Sequence, residues 1–464
     1  MTPLSRRSAL SLAAGAVATP AIGADVAAAA RSSSRGAASG RNPVLGCDLL
    51  ARVTPRAGWR VTAVALRYAK PVDVRGGIIP PAAFTVAATV AGETAARTVT
   101  RVYPNAVAGT DDRARPGRPG HHLIIELDPG DPNAPAVPPG LHTDPYPLDG
   151  AYAVRQVADV TDRRDGVVLP ASPLAVHNDG VLTPVVDGFT AGSFTDTRGF
   201  GVRFRLHLPE GFVRDPGAAT RYPLVVTLHG GGEVADNNVT QLTGNRIAVT
   251  FAKPERQRRH PAFVLAPQVP LPRPMDGEDG TDWTDDGVRA ATVDLLDAFV
   301  ASHPVDADRI YLVGLSSGGR GIFDLLPRYP ARFAAALPTA GWGDPSVMDR
   351  ITHVPLWADH SVDDPVVPYR EGRFGNPGTW TLINAVERAG AGVTRGEWPN
   401  DLPKAEFQAR SRALLRRARA NGSHTLFTSY PAGTTPGNAH LCWAQTYEND
   451  VVIDWLFDQR RRPR

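Results

Sequence analysis

Two cysteines, Cys47 and Cys442, are all that 464 residues contain. So sparse a pair excludes a disulfide-built scaffold, and spacing alone does not say whether the two are bridged. Neither C-x-x-C nor H-E-x-x-H occurs, which removes the common zinc signatures. The adjacent His121 and His122 precede a strand-like run and read as a hairpin edge. A dominant charge is lacking as well. With 50 basic and 47 acidic residues the formal net charge is +3, and no basic stripe is interleaved with aromatics. Nucleic acid is therefore not an expected partner. No apolar stretch is long and uninterrupted enough for a membrane span, and no internal repeat is apparent.

The N-terminus has a composition of its own. Ser5-Arg6-Arg7-Ser8-Ala9-Leu10 opens a run of Ala, Leu, Val and Gly that reaches Ala30, broken by Pro20 and Asp25. A charged start followed by a moderately apolar, small-residue run is the pattern of an export signal, and the paired arginines resemble the twin-arginine type. Residues 1–30 are read as that signal and 31–44 as a linker, which implies a secreted or extracytoplasmic protein without stable membrane insertion after cleavage. Val44-Leu45-Gly46-Cys47 has the look of a lipidation box, but the polar stretch Arg31 to Pro43 separates it from the apolar run. The arginines at 460, 461, 462 and 464 read as a solvated tail.

From Leu49 to Asp187 the texture is β. Val61 to Tyr68, Phe84 to Val90, Arg97 to Tyr103, His122 to Leu127 and Tyr152 to Val157 are short runs, and turns rich in Gly, Pro and Asp separate them, as at Arg113 to Gly120. Such spacing without an amphipathic helix predicts a β-sandwich over residues 45–188. Beyond Gly188 strand-like runs alternate with helical ones: Phe200 to Leu208, Pro223 to Leu228 and Ala262 to Leu265, then apolar residues at helical spacing over Asp285 to Ser302. That alternation predicts a mostly parallel α/β sheet over residues 189–464.

Chemistry concentrates in the second half. DADRIYLVGLSSGG, Asp306 to Gly319, sets an uncharged run before G-x-S-x-G and a helix-compatible segment after it. With 45 glycines the short pattern also arises by chance, so the surrounding strand, turn and helix carry the argument. Small residues on both sides of Ser316 let the chain turn sharply and lift its hydroxyl above a sheet. A serine nucleophile needs a base, and the base an acceptor that orients it. His440, on a Gly/Thr/Pro-rich loop between the last strand and last helix, fits the base. In HVPLWADHSVDDPVVP the acid is assigned to Asp364, ahead of Asp363 and then Asp359, because Pro365 to Pro368 would pin its loop. Leu228-His229-Gly230-Gly231-Gly232 offers free backbone N–H groups for a developing oxyanion. Gly231 is the first choice there, with Gly232 behind it, and the Ser317 N–H is the second donor. Trp342 and Trp443 are either walls of a substrate pocket or ordinary buried tryptophans.

At these residues the chain resembles the serine esterases of the α/β-hydrolase superfamily. The resemblance is to the polyhydroxybutyrate depolymerase-like and feruloyl-esterase-like branch, and to its secreted members with an immunoglobulin-like N-terminal domain. PLVVTLHGGGE, PAFVLAPQ, DADRIYLVGLSSGG, PARFAAALPTAG, WADHSVDDPVVP and H-x-x-W with the closing DWLF carry it in order, across residues 200–457. VTAVALRYAKPVD carries it in the N-terminal half. It implies an α/β-hydrolase fold behind an immunoglobulin-like sandwich, a Ser316, Asp364 and His440 triad, and neither metal nor organic cofactor. It further implies hydrolysis of carboxylic esters, small or polymeric, through an acyl-enzyme. The alternatives are a peptidase of the prolyl oligopeptidase type, against which the missing propeller repeats argue, and a depolymerase of polyesters or polysaccharide esters. The sandwich itself has two open roles, binding polysaccharide and forming a homo-oligomer. The sequence departs from the resemblance at Ser361, where glycine is usual, and at an insertion, Gly392 to Asn421, read as a cap over the site or a surface decoration. A twin-arginine signal without a cofactor loop is the third departure.

Overall fold

Apolar and polar residues alternate along the N-terminal strands, and that period decides which side faces inward. In Phe84–Val90, Phe84, Val86 and Ala88 are buried while Thr85 and Thr89 are exposed. The computed structural model describes residues 42–461, apart from 57, 75–77, 111–116, 139–142, 163–165, 214–219 and 272–281. The expected signal at 1–30, most of the 31–44 linker, part of the Arg113 to Gly120 turn and the last arginines of the tail lie outside the described residues.

The strands of this half are β1 (Val44–Thr54), β2 (Gly58–Val72), β3 (Phe84–Val90), β4 (Glu93–Arg97), β5 (Val99–Asn105) and β6 (Gly120–Leu127). β7 (Tyr152–Gln156), β8 (Val160–Thr161), β9 (Val167–Leu169), β10 (Val176–His177) and β11 (Gly180–Leu182) follow. They form sheets in the orders β11-β1-β2-β6-β5 and β10-β7-β3-β4, with a separate β8-β9 hairpin. Leu49, Val64, Leu66, Phe84, Val86, Leu123, Ile125 and Tyr152 pack between them, which makes an immunoglobulin-like sandwich. The Arg97 guanidinium is buried in that core, where it donates to Tyr152 Oη, Val61 O and Asp128 O and pairs with Asp131 at 3.0 Å. A buried charge so fully partnered is a structural fastener.

The second half is one nine-stranded sheet, ordered β12-β13-β15-β14-β16-β17-β18-β20-β19. Its members are β12 (Thr190–Thr195), β13 (Gly201–His207), β14 (Tyr222–Leu228), β15 (Phe263–Gln268) and β16 (Val305–Leu315), then β17 (Ala335–Thr339), β18 (Leu356–Ser361), β19 (Val393–Glu397) and β20 (Thr425–Tyr430). β12 and β13 are antiparallel to their neighbours, and all other pairings are parallel. The helices are α1 (Thr240–Thr243), α2 (Ile247–Ala252), α3 (Pro254–Arg259), α4 (Asp286–Ser302), α5 (Ser317–Arg328), α6 (Thr379–Arg388), α7 (Lys404–Asn421), α8 (Trp443–Thr446) and α9 (Asp450–Phe457). Asp285 caps α4 by accepting from Gly287 N and Val288 N.

Burial on both faces explains the uncharged runs of the central strands. Ile310 and Leu312 of β16 enter one apolar layer with Leu295, Ile322, Leu326 and Leu382 of α4, α5 and α6. Tyr311, Val313 and Leu315 enter the other with Ile247, Phe251, Phe407 and Val452 of α2, α7 and α9. Helices on both faces of a largely parallel sheet are the α/β-hydrolase architecture. Two local expectations change. The segment 392–421 is neither cap nor decoration: β19 extends the sheet beside β20, and α7 buries Phe407, Leu414 and Ala418 against it. The single last helix expected after His440, over Trp443 to Phe457, is two, α8 and α9, because Asn449 interrupts the run and caps α9 by accepting from Val451 N.

Candidate active site

β16 delivers Ser316 to the C-terminal edge of the sheet, and glycines around it let the chain double back into α5. A Cβ on Gly314 would stand 2.4 Å from Gly318 O, one on Gly318 1.9 Å from Leu228 O, and one on Gly319 2.9 Å from Gly341 Cα. No side chain larger than hydrogen fits at any of the three. Ser316 itself is held at φ 52°, ψ −121°, a left-handed conformation that a non-glycine residue adopts only under constraint.

β18 ends at Ser361, and Asp364 lies in the loop just beyond. Its Oδ1 accepts from Val366 N at 2.8 Å and Val367 N at 2.9 Å, so the backbone aims the carboxylate. His440 stands in a short turn before α8. The Ser316 hydroxyl donates to His440 Nε2 across 2.9 Å, and His440 Nδ1–H donates to Asp364 Oδ2 across 2.7 Å. All three residues are buried. Burial alone would raise the Asp364 pKa, but hydrogen bonds and charge from His360 and His440 hold it well below the usual carboxylate range. It is therefore an anion at neutral pH, as an acceptor that orients an imidazole must be.

His360 was not among the residues singled out in the sequence. Its Nε2–H lies 3.1 Å from Asp364 Oδ2 and 2.9 Å from Val367 O, so it braces the same carboxylate oxygen and the loop beyond it. Its only sequence signal was its place in Asp359-His360-Ser361, directly upstream of the acid. The other two carboxylates considered there have different partners. Asp363 Oδ2 accepts from Gly433 N at 2.8 Å, which ties the acid loop to the histidine loop. Asp359 is fully buried between Thr339 Oγ1, at 3.0 Å, and Cys442 Sγ, at 3.9 Å. Burial pushes its pKa up to about 7, against the hydrogen bonds that would lower it. Ser361, where glycine was expected, bonds Thr435 Oγ1 at 2.6 Å and joins the same two loops. Cys47 and Cys442 are both free and buried, one in each half.

The glycine loop after β14 lies across the sheet edge from Ser316. His229 Nδ1–H donates to Gly230 O at 2.7 Å, and its Nε2 accepts from Val269 N at 3.0 Å. Burial lowers its pKa to about 4, so this histidine is a neutral bracket for the loop. Gly231 opens a single 3-10 turn, Gly231–Glu233, and a Cβ there would lie 3.9 Å from Ser317 Cβ. Ser317 is the first residue of α5, whose N–H has no intrahelical acceptor. The loop and the helix N-terminus thus face one another beside the serine. The Trp443 ring meets His440 edge-on, with centroids 5.0 Å apart, and is also part of an apolar layer. Trp342 is 2% exposed, lies under the Arg320 guanidinium and neighbours Phe374.

Residues 46–169 match the family model described as the esterase Ig-like N-terminal domain, and residues 204–367 that described as esterase PHB depolymerase. A crystal structure of a thermostable esterase is 28% identical, covering 90% of this chain and 100% of that one at a TM-score of 0.70. This chain is a serine esterase of the α/β-hydrolase fold. Weaker likenesses to the esterase include a ferulic acid esterase, at 12% identity and a TM-score of 0.37 over 58% of this chain and 98% of that one. An S-formylglutathione hydrolase from Agrobacterium tumefaciens gives 14% identity and a TM-score of 0.37 over 59% and 96%. No curated protein sequence matches the esterase.

Proposed function

We propose that the esterase hydrolyses carboxylic esters through an acyl-enzyme on Ser316, with His440 as general base and acid and Asp364 as the group that orients His440. The observation that supports this most is the continuous relay from Ser316 Oγ to His440 Nε2, at 2.9 Å, and from His440 Nδ1 to Asp364 Oδ2, at 2.7 Å. His440 takes the Ser316 proton as Oγ attacks the ester carbonyl carbon. The Gly231 and Ser317 N–H groups receive the oxyanion, donors of a kind worth roughly 3 to 4 kcal/mol each. Collapse of the tetrahedral intermediate expels the alcohol, protonated by His440, and water then releases the acid by the same relay in reverse.

Trp342 and Trp443 are assigned to the walls of the substrate site, Trp443 through its contact with the His440 ring. The substrate is a small or polymeric ester, and the esterase is exported by the twin-arginine-type signal at residues 1–30. Among the described residues no helix is long and apolar enough to cross a membrane. A peptidase of the prolyl oligopeptidase type fits less well, since the N-terminal half is a two-sheet sandwich.

The test is turnover of p-nitrophenyl esters from acetate to palmitate by the protein and by Ser316→Ala. Turnover by the parent with a loss of about 10⁴-fold or more in the variant is expected. An alanine variant that retains parental activity would end the Ser316 assignment, and a parent inert on every ester would end the reading as a whole.

A further inference from the structure

The glycine loop ends in an ionisable residue that the proton relay leaves unused. Glu233 closes the Gly231–Glu233 turn, and its Oε2 is buried without any hydrogen-bond partner. A buried polar atom left unmatched is destabilising, and such departures concentrate where function requires them. Burial raises the pKa of this carboxyl above its ordinary value.

Two missing side chains make the space for it. A Cβ on Gly244 would stand 2.6 Å from both Cγ and Oε1 of Glu233. One on Gly230 would stand 3.0 Å from Oε2 and 3.6 Å from Ser316 Cβ. The carboxyl thus occupies a slot between two glycines, one of them on the loop that faces the nucleophile. Its backbone is pinned as well. Thr240 Oγ1 and Gln268 Nε2 donate to Glu233 O at 3.0 and 3.2 Å, and Glu233 N–H donates to Gly230 O at 3.2 Å.

We propose that Glu233 is a positioning residue of the acyl-transfer site, its carboxyl acting as the spacer that sets the glycine loop against Ser316 and so aims the Gly231 N–H. The assignment rests on Ser316 being the nucleophile. A spacer works by shape. Glutamine keeps the shape and removes the charge, aspartate keeps the acid and shortens it by one methylene, and alanine empties the slot.

The experiment measures kcat and KM on an ester that the parent turns over, for full-length Glu233→Gln, Glu233→Asp and Glu233→Ala, together with fluorophosphonate labelling of Ser316. Glu233→Ala and Glu233→Asp are expected to lower kcat by about tenfold or more with KM within about threefold, because a misplaced oxyanion donor is felt in the transition state. Glu233→Gln is expected within about threefold of the parent in both. The proposal falls if Glu233→Ala or Glu233→Asp keeps the parental kcat, if their loss lies in KM, or if Glu233→Gln is as impaired as they are. Should Glu233→Ala not fold, the Asp and Gln pair decides by the same criteria. A parent that neither labels nor turns over esters condemns the nucleophile assignment instead, whereas a labelled Glu233→Ala with parental kcat condemns the spacer alone.

Discussion

Asp364 accepts from both His440 and His360 through one oxygen, so in the proposed relay it has two jobs, orienting the base and anchoring a loop. Asp364→Asn removes the acceptor and favours the wrong His440 tautomer, and kcat should fall by about 10⁴-fold with a small change in KM. Steady-state kinetics on a short ester checks this, and a fall below about tenfold would return the role to another acid. Asp359 offers a different test, because its proton sits in the fold and not in the reaction. Burial pushes its folded pKa up to about 7, above the ordinary aspartate value of 3.8, so the folded state holds the proton more tightly. Its contribution is undiminished below the unfolded value, is lost as pH rises from about 4 to about 7, and stays lost above that. Asp359→Asn should therefore raise the melting temperature relative to the parent at pH 8 and lose that advantage at pH 4 to 5, and a difference independent of pH would contradict the shift. Ser316 and His440 stood out in the sequence because turn residues mark the element ends on which they sit. The separation of Asp364 from Asp363 rested on a proline-rich loop. His360 and Glu233 gave no such sign, since what marks them is a partner or a slot supplied by distant chain.

At the scale of elements, the turn from β16 into α5 is the least tolerant part of the molecule. Gly318→Ala would drive a methyl to 1.9 Å from Leu228 O, a backbone atom of β14 with no freedom to yield. Loss of more than about 4 kcal/mol, or no folded protein, is expected by urea denaturation. Gly231→Ala, on the glycine loop that faces Ser317, meets nothing nearer than Ser317 Cβ at 3.9 Å, and should remain within about 1 kcal/mol of the parent. Equal stabilities would contradict the packing of these two loops. The segment 392–421 also touches the site. Asn400 Nδ2 donates to Thr435 Oγ1 at 3.0 Å and Cys442 O at 3.1 Å, on either side of His440. Buried central strands such as β14 and β20 were legible because every residue of the run is apolar or small. The edge strands were harder. β19, Thr394-Arg395-Gly396-Glu397 after Val393, has too little apolar content to be told from a loop, and it becomes a strand only because β20 offers it an unpaired edge.

For the molecule as a whole, the change from β texture to alternating strands and helices told of two cores but nothing of how they meet. Polar and apolar contacts join them. Asn237 Nδ2 donates to Asp144 Oδ1 at 3.0 Å, and Val53, Val185 and Val186 pack on one apolar layer of the large sheet. At the start of β2, Gly58 has φ 63°, and a Cβ there would lie 3.3 Å from both Thr243 O and Gly244 O. A glycine at that point meets two demands, a left-handed backbone and a close approach to backbone of the other half, and neither shows in a sequence where glycine is so common. The two demands can be separated by substitution. Gly58→Asn keeps a residue that tolerates the left-handed region, while Gly58→Val adds β-branching that opposes it by about 1 to 2 kcal/mol. Both carry the Cβ that presses on the carbonyls. If the strained turn dominates, the valine protein should melt about 2 to 4 °C per kcal/mol below the parent, with asparagine close to the parent. If the contact dominates, both should melt below it together. Parental melting temperatures in both proteins would contradict the docking of this hairpin on residues 243–244.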